Sequence, residues 1–326
     1  MIIISVKNLK KYYFVHQKEP GVLGSIKSLV NRKYTEVKAV DNISFEIREG
    51  ELIGFIGPNG AGKTTTLKVL SGLLYPTSGE ARVLGYEPFK RQAEFQKQFT
   101  LIMGQKNQLW WDLPAMESFI LNKEIYEVAD EKFNTVVNEL ADMLEVKDIL
   151  KIQVRKLSLG QRMKCELIAA LLHSPKVLFL DEPTIGLDVV AQKKMRDFIK
   201  GYNEKFNATI ILTSHYMGDV KELCKRVIII DKGTILYDGL LAKLQEKFAP
   251  YKVISVDFSK EVKKDALQAI GEIKEQAGIH AIIHIPANEA AGRVSKLLDK
   301  FPVEDLTIEE PPIEDIIRDV FSEGKI

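Results

Sequence analysis

The stretch GPNGAGKTT at residues 57–65 constrains the fold of this chain more than any other segment. It follows the apolar segment Leu52–Ile56, which is typical of a buried β-strand, and it precedes a helical stretch that begins at Lys63. The glycines let successive backbone N–H groups point into one concavity, and the positive end of the following helix faces the same space. The sequence therefore predicts a strand, a tight anion-binding loop and a helix, in that order.

The spacing of this stretch fits the phosphate-loop pattern G-x-x-x-x-G-K-[ST]. Lys63 would place a positive charge at the β- and γ-phosphates of a nucleotide, and Thr64 would supply a hydroxyl oxygen to Mg²⁺. A plain strand-to-helix turn is the alternative, but it does not explain the lysine. The predicted nucleotide-binding residues in this stretch are Gly57, Pro58, Asn59, Gly60, Ala61, Gly62, Lys63, Thr64 and Thr65.

Three further apolar segments predict the rest of a sheet. Val177–Leu180, Thr209–Leu212 and Val227–Ile230 are continuously apolar, and helical segments at Ala191–Phe206 and Met217–Cys224 lie between them. Strands that are apolar throughout are buried on both faces. We therefore expect an α/β fold with a mostly parallel sheet covered by helices.

Polar side chains come directly after two of these strands. Asp181 and Glu182 follow the first, and His215 follows the second, at the carboxyl edge where ligands of open α/β sheets bind. Asp181 would hold Mg²⁺ through water, and Glu182 would orient or deprotonate an attacking water. His215 would donate a hydrogen bond to a γ-phosphate. A solvated strand end and a structural histidine are the alternatives.

Composition narrows the class of protein. At 326 residues the chain is long enough for two domains, and its 46 Lys and Arg against 45 Asp and Glu give no reason to expect a nucleic-acid partner. Cys165 and Cys224 alone provide no disulfide framework. No apolar run reaches about 18 residues, and basic residues follow the apolar start MIIIS instead of preceding it. We therefore expect a cytoplasmic chain without a membrane span.

The chain divides near Ala249-Pro250. Before this point, β-like segments at Ile2–Val6 and Ile43–Ile47 flank an insertion at about residues 15–38, and residues 113–156 are mostly helical. Beyond it, residues 251–326 predict a small α+β domain. Its expected strands are Val253–Phe258 and His280–Ile285, and its expected helices are Ala266–Gln276 and Glu289–Phe301.

Six elements together resemble the ATP-binding subunit of an ABC (ATP-binding-cassette) transporter over about residues 3–245. GPNGAGKTT resembles the Walker A motif, and VLFLDEPT resembles the Walker B motif with Glu182 as the catalytic residue. LSLGQ at 157–161 resembles the family signature, and TIGLD, which ends at Asp188, resembles the D-loop. TSH, which ends at His215, resembles the switch-histidine segment, and Gln105 matches the Q-loop glutamine. All six occur in the order typical of the family.

This resemblance implies a P-loop NTPase fold of the ABC cassette type over residues 1–245, followed by the small α+β domain. The cassette would combine a mixed sheet core, an antiparallel β subdomain and a helical subdomain at about residues 106–170. ATP and Mg²⁺ are the implied cofactors. The implied catalytic residues are Lys63, Gln105, Glu182 and His215, and the implied magnesium ligands are Thr64, Gln105 and Asp181.

The resemblance also implies a partner cassette, either a second copy of this chain or a homologous subunit, that faces it head to tail. Each ATP would lie between the Walker motifs of one subunit and LSLGQ of the other. Ser158, Gly160 and Gln161 would then contact the γ-phosphate bound to the partner, and Asp188 and Gln105 belong to the same nucleotide-contacting set. A helix N-terminus with a serine and a glycine can bind an anion without a charged side chain.

The resemblance leaves two points undecided: the role of Leu159 in the signature and the identity of the aromatic that stacks on adenine. Leu159 occupies the first of the two central glycine positions of the signature, so either its side chain points away from the nucleotide or the closure geometry differs. Family spacing from Asn8 places the aromatic that stacks on adenine at Tyr13, with Tyr12 and Phe14 as alternatives. Any of the three can also be an ordinary strand aromatic.

Four segments together resemble one branch of exporter ATPases: the insertion at about residues 15–38, GQKNQLWWDLP, LSLGQRM and LDEPTIGLDVVAQ. The permeases of this branch form the second ABC exporter class and move drugs, lipids or polysaccharides. Trp110 and Trp111 follow the Q-loop, where the permease docks in this family, although two tryptophans can also fill a core. We therefore expect an export ATPase on the inner face of the cell membrane, held there by integral-membrane permease subunits. A soluble ABC ATPase acting on ribosomes or nucleic acid is the alternative.

The insertion at about residues 15–38 carries its own signal. Basic residues flank a helical apolar spacing, which predicts a short amphipathic helix that lies near anionic headgroups, against a permease or on its own domain. The apolar positions are Val22, Ile26, Leu29 and Val30.

Overall fold

The computed structural model describes residues 1–16, 34–104 and 106–323, which form two compact units that divide between residues 238 and 239. No helix within these ranges is long and apolar enough to cross a membrane. The amphipathic helix expected from Val22 to Val30 and the expected site residue Gln105 lie outside the described residues.

The described residues as far as residue 240 form both strands and helices. The strands are β1 (Ile2–His16), β2 (Tyr34–Arg48), β3 (Leu52–Ile56), β4 (Ser78–Val83), β5 (Phe99–Met103), β6 (Val177–Asp181), β7 (Thr209–Thr213), β8 (Arg226–Asp231) and β9 (Thr234–Leu240). The α-helices are α1 (Lys63–Leu70), α2 (Ala93–Gln96), α3 (Ala115–Ile125), α4 (Asp130–Met143), α5 (Leu159–Leu171), α6 (Val189–Phe206) and α7 (Met217–Leu223).

A three-stranded antiparallel sheet has the order β2-β1-β4. Both β1 and β2 are longer than the apolar segments that predict them. Ile4, Val6 and Leu9 of β1 are buried, whereas the residues after Leu9 are half-buried or exposed. Apolar alternation reports only the part of a strand that faces a core, so the outer halves of these strands leave no such signal.

A six-stranded sheet has the order β5-β6-β7-β3-β8-β9, and the strands from β5 to β8 pair in parallel. Every residue of β6 and β7 is buried. This confirms the predicted parallel sheet with buried strands. Because neighbouring strands run in one direction, the loops that follow β3, β6 and β7 begin at the same edge of the sheet.

The segment between β5 and β6 is largely helical. Helices α3 and α4 both pack against α5, and α5 also packs against β5. Phe119, Leu140 and Ile168 are fully or almost fully buried, one from each of these helices. This packing fixes α5, whose first residues belong to LSLGQ, relative to the edge of the sheet.

The second unit is an α+β structure. Its strands are β10 (Tyr251–Phe258), β11 (Glu272–Ala277), β12 (His280–Pro286) and β13 (Val303–Glu309), in the antiparallel order β11-β12-β10-β13. Its helices are α8 (Leu241–Phe248), α9 (Lys264–Leu267), α10 (Ala290–Lys300) and α11 (Ile313–Glu323). A separate core that includes Ile254, Ile283 and Leu297 holds this sheet against α10.

The helix expected at Ala266–Gln276 is wrong, because α9 ends at Leu267 and the edge strand β11 occupies the second half of that segment. Ile273 pairs with Ile283 of β12, but a register shift follows before Glu275. The resulting β-bulge interrupts the alternation of the strand. The two half-buried residues of β11, Ile273 and Gln276, are therefore three positions apart, a spacing typical of a helix.

Candidate functional site

The loop after β3 favours glycine at three points, either through lack of space for a Cβ or through a positive φ. A Cβ on Gly57 would lie 2.2 Å from the carbonyl oxygen of Ile230, and Gly60 has a φ of +80°. Gly62 has a φ of +109°, and a Cβ there would lie 2.4 Å from the carbonyl oxygen of Ala39. No side chain of the described residues caps α1, which begins directly after Gly62. Its first N–H groups therefore remain available for an anion.

A β-bulge in β2 places the Ala39 carbonyl on the loop. Lys11 of β1 pairs with Val40 and Tyr12 pairs with Lys38, so Ala39 is an extra residue between them. The backbone N–H of Asp41 also donates to the Gly233 carbonyl at 2.7 Å. The antiparallel sheet thus holds the loop from one side.

Lys63 lies within the loop. Its ammonium donates to the carbonyl oxygens of Gly57 at 2.6 Å and Pro58 at 3.1 Å, and the residue is buried. Burial lowers the pKa of Lys63, while the carboxylates of Glu182 and Asp181 act in the opposite direction. The two carboxylates therefore favour the charged form of this lysine.

Asp181 joins the loop to the sheet edge. Its Oδ2 accepts a hydrogen bond from the Thr64 hydroxyl at 2.8 Å, and its Oδ1 accepts one from the Thr213 hydroxyl at 2.7 Å. The structure therefore brings together Thr64 and Asp181, as the sequence predicts. Sequence reasoning missed Thr213, although its position at the end of the strand beside β6 is a usable signal.

Glu182 and His215 meet across the ends of β6 and β7. The Nε2 atom of His215 lies 2.6 Å from Oε1 of Glu182. Glu182 has a φ of +56°, a left-handed conformation that is uncommon outside glycine, and its backbone N–H donates to the Thr213 carbonyl at 3.1 Å. Such backbone strain persists where the surrounding structure fixes it, and it concentrates at functional sites.

Gly104, directly after β5, packs closely against the backbone of Asp181 and Glu182. Its N–H donates to the Asp181 carbonyl at 2.9 Å, and a Cβ on it would lie 2.1 Å from the Glu182 carbonyl oxygen. A larger residue at 104 would therefore displace the backbone of Glu182. A cavity of about 260 Å³ opens here, lined by Thr64, Lys68, Met103, Gly104, Lys106, Asp181 and Glu182.

The donor set at this cavity suits Mg²⁺. The Thr64 hydroxyl and the Asp181 carboxylate are hard oxygen ligands, and Mg²⁺ is commonly held by one or two such groups together with substrate phosphates and water. Among the described residues, no group of three or more His, Cys, Asp and Glu forms a cage that would hold a metal by itself. The residues present therefore fit a magnesium ion that arrives with a nucleotide.

LSLGQ forms the start of α5. The Ser158 hydroxyl accepts from the Gln161 backbone N–H at 3.2 Å, and the Gln161 side chain accepts from the Ser158 N–H at 3.0 Å. This reciprocal capping box fixes where the helix begins. A Cβ on Gly160 would make only ordinary contacts, the nearest with Ala191 at 3.4 Å.

Leu159 packs toward the TIGLD segment of its own chain. A Cβ on Gly186, which has a φ of +73°, would lie 3.1 Å from the Cδ2 atom of Leu159. The Asp188 carboxylate accepts from the Ala191 N–H at 2.8 Å and caps α6. The two segments line a cleft of about 690 Å³ that shares no lining residue with the cavity at Thr64 and Asp181.

The three candidate aromatics of β1 differ in their surroundings. The Tyr12 hydroxyl donates to the Asp41 carboxylate, and this hydrogen bond raises the pKa of Tyr12 to about 12. Tyr13 is half-buried with the Lys11 ammonium 5.1 Å from its ring centroid, and Phe14 is 65% exposed. Successive strand residues point to opposite faces, so Tyr12 and Tyr13 cannot serve the same face.

Two family models and several known proteins are similar to this chain. The family described as ABC transporter matches residues 40–185, and the family described as EvrA-like ABC transporter, C-terminal domain, matches residues 250–309. The ABC transporter ATP-binding protein NatA of Bacillus subtilis (strain 168) is 33% identical over 210 residues, which are 64% of this chain and 85% of NatA. The chain is an ABC transporter ATP-binding protein.

Another curated relative and a solved structure are also ATP-binding subunits of ABC transporters or transport systems. The bacitracin transport ATP-binding protein BcrA of Bacillus licheniformis is 32% identical over 222 residues, 68% of this chain and 71% of BcrA. A solved structure of the ATP-binding subunit of an ABC transporter matches with a TM-score of 0.63 at 23% identity, over 76% of this chain and 93% of that one. These matches confirm the predicted cassette fold and the predicted class of ABC-type ATPase.

Proposed function

We propose that two cassettes close head to tail around two Mg-ATP, hydrolyse them and drive export through a separate membrane permease. The observation that carries this proposal is the convergence of Thr64, Asp181, Glu182 and His215 at the phosphate loop. One hydroxyl and one carboxylate suit the metal, while a second carboxylate and an imidazole lie beside them. The partner is a second copy of this chain or a homologous ATPase subunit.

Each residue of the site has its own role in ATP binding or hydrolysis. The loop N–H groups and Lys63 bind and orient the β- and γ-phosphates, with Thr64 and Asp181 as ligands of the metal and Gln105 as a further contact to it. When bound, Mg²⁺ neutralises charge on the phosphate oxygens. Glu182 accepts the proton of the attacking water, and His215 orients that carboxylate before the nucleotide binds. Once the nucleotide is bound, the same imidazole N–H would turn toward the γ-phosphate.

The separation of the two cavities supports a composite site. Ser158, Gly160 and Gln161 line a different cleft from Thr64 and Asp181, so they would contact nucleotide on a partner subunit. The helix N-terminus at Ser158 suits an anion there. Asp188 already caps α6, so we propose that it fixes the D-loop backbone beside that nucleotide.

Adenine stacking is assigned to Tyr13. Tyr12 is held by Asp41, which leaves the opposite face of β1 to its neighbour. Residues 1–245 would form the nucleotide-binding domain, and residues 251–326 an accessory domain. The match of residues 250–309 to an ABC transporter C-terminal domain supports that second assignment.

The proposal of export through a permease is supported by two exposed tryptophans and by the names of related proteins. Trp110 is 58% exposed and Trp111 47%, and large aromatics of this kind anchor interfaces. The names of BcrA, of the linearmycin resistance protein LnrL and of the Nod factor export protein I describe transport, resistance or export for those proteins. We propose the same direction for this chain, with attachment to the membrane through the permease.

Steady-state phosphate release tests the hydrolytic assignment. Glu182→Gln should lower kcat by a factor of about 10²–10⁴ and keep the affinity for ATP, because the general base is lost while the loop is intact. Glu204→Gln, which changes an exposed glutamate of α6, is the matched control and should keep the wild-type rate. Wild-type turnover by Glu182→Gln would contradict the proposal.

A further inference from the structure

Asp219, in the first turn of α7, is a buried carboxylate outside the motifs described above. It is fully inaccessible to solvent. Its Oδ2 accepts hydrogen bonds from the Thr184 hydroxyl at 2.6 Å and from the Ser214 hydroxyl at 2.8 Å. Its Oδ1 accepts a hydrogen bond from the Arg196 guanidinium at 3.0 Å.

The two hydroxyls belong to the loops that carry the reacting groups. Thr184 stands two positions after Glu182, and Ser214 directly precedes His215. Ser214 Oγ also accepts from the Tyr216 N–H at 3.0 Å, so the backbone on both sides of His215 is tied to this point. A single carboxylate oxygen therefore spans the two loops whose side chains meet at 2.6 Å.

Arg196 makes this buried charge tolerable. Its guanidinium lies between Asp219 and Glu222, with Nε 2.5 Å from the Glu222 carboxylate. A buried carboxylate is stable only when it is paired and its lone pairs are hydrogen-bonded, and both conditions hold here. The bond from a hydroxyl to an ionised carboxylate is also among the stronger hydrogen bonds in proteins.

We propose that Asp219 is a positioning residue for ATP hydrolysis, which sets the distance between Glu182 and His215 by holding Thr184 and Ser214 on one carboxylate. This inference rests on the proposed hydrolytic function. Among the described residues, the side-chain hydrogen bonds of Asp219 go to Thr184, Ser214 and Arg196 and not to the phosphate loop, so we expect it to act through the two loops. Its loss should therefore lower the rate of the chemical step without weakening ATP binding.

The chemistry of the contact explains why a carboxylate is needed. The three partners of Asp219 all donate, two toward Oδ2 and one toward Oδ1. An asparagine amide has one acceptor and one donor end, so it must turn N–H groups either toward the two hydroxyls or toward Arg196. The guanidinium cannot accept a hydrogen bond, so the amide N–H groups would have to face the two hydroxyls. Thr184 and Ser214 would then lose the two bonds that they donate to one oxygen, which is the link that a carboxylate provides.

The test compares steady-state phosphate release and fluorescent-ATP binding for Asp219→Asn with the wild type. We expect kcat to fall about tenfold or more, with KM and Kd for ATP within about twofold. Asp197→Asn, an exposed aspartate of α6, is the matched control and should behave as the wild type. A folded Asp219→Asn variant with wild-type kcat would overturn the inference, even if its thermal stability is lower.

A second pair of variants decides the matter if Asp219→Asn does not fold. Thr184→Ser keeps the hydroxyl that donates to Asp219, whereas Thr184→Val removes it at nearly constant volume. We expect the kcat of Thr184→Ser to stay within about twofold of the wild type. The kcat of Thr184→Val should fall at least about fivefold. Equal rates for both variants would overturn the inference. An inactive wild type would instead contradict the proposed function itself.

Discussion

The Nε2 atom of His215 lies 2.6 Å from Oε1 of Glu182, although the two residues follow different strands. This contact depends on the parallel pairing of β6 and β7, which puts Asp181 opposite Thr213. One carboxylate oxygen of Glu182 is thereby oriented by the imidazole. Loss of either side chain should therefore impair the same chemical step.

His215→Ala should lower kcat for ATP hydrolysis by a factor of about 10² or more and change the affinity for ATP little, because it removes the group that orients Glu182. Phosphate release and fluorescent-ATP binding measure the two effects. His280→Ala, which removes a half-exposed histidine of the second unit, is the control. Unchanged turnover in His215→Ala would show that the contact has no catalytic role.

Gly62→Ala should abolish ATP binding, because the new Cβ would lie 2.4 Å from the Ala39 carbonyl and the φ of +109° is strained for alanine. Gly218→Ala is a matched control, since a Cβ at that position meets nothing within 4 Å. Titration with a fluorescent ATP analogue measures both. Normal binding by a folded Gly62→Ala protein would contradict the geometry assigned to the loop.

Glu166 of α5 should make stability depend on pH. It is 1% exposed, and burial raises its pKa to about 7, while Arg162 and the Gln108 N–H act against this shift. Between its ordinary pKa of 4.5 and about 7, the folded chain binds more protons than the unfolded chain. The contribution of Glu166 to stability therefore falls as pH rises through this window, and the penalty persists above it.

Glu166→Gln should remove that penalty. The free energy of unfolding gained by the substitution should be larger at pH 8 than at pH 5 by roughly 1–3 kcal/mol, measured by urea denaturation. Glu204→Gln, at an exposed position, should show no such difference. An equal gain at both pH values would mean that Glu166 titrates normally in the fold.

Replacing Trp110 and Trp111 together by alanine should reduce binding to membranes that contain the permease about tenfold or more, because buried tryptophans dominate interface energies. Co-sedimentation with inside-out vesicles from the source cells measures this, and basal ATPase activity should be kept. Tyr75→Ala, which removes another exposed aromatic, is the control. Unchanged co-sedimentation would exclude the tryptophan pair as a docking site, and recovery of the wild type with ribosomes would favour the soluble alternative.

Local motifs made much of the site predictable. The phosphate loop, Asp181, Glu182 and His215 each stand at the end of a strand that the apolar pattern reveals. Asp219 could not be found in this way, because its role depends on contacts with three separate segments. The β-bulge in β11 interrupts the alternation of buried and exposed residues, so the sequence pattern predicted a helix where the structure has a strand.

The signature position Leu159 illustrates the same limit. Its sequence departs from the usual glycine, and either orientation of the side chain was conceivable. The structure places Leu159 against Gly186, a neighbour supplied by a loop that lies more than twenty positions away in the chain. That contact follows from the packing of α5 beside the start of α6, which no local pattern encodes.

Light scattering of Glu182→Gln at saturating Mg-ATP tests the composite site most directly. If ATP closes two cassettes and hydrolysis reopens them, this variant should accumulate as a dimer with twice the 36.9 kDa mass of the chain. Adding Ser158→Arg, which puts a bulky cation at the start of α5, should return it to a monomer. A monomeric Glu182→Gln protein, under conditions where the wild type hydrolyses ATP, would contradict the account.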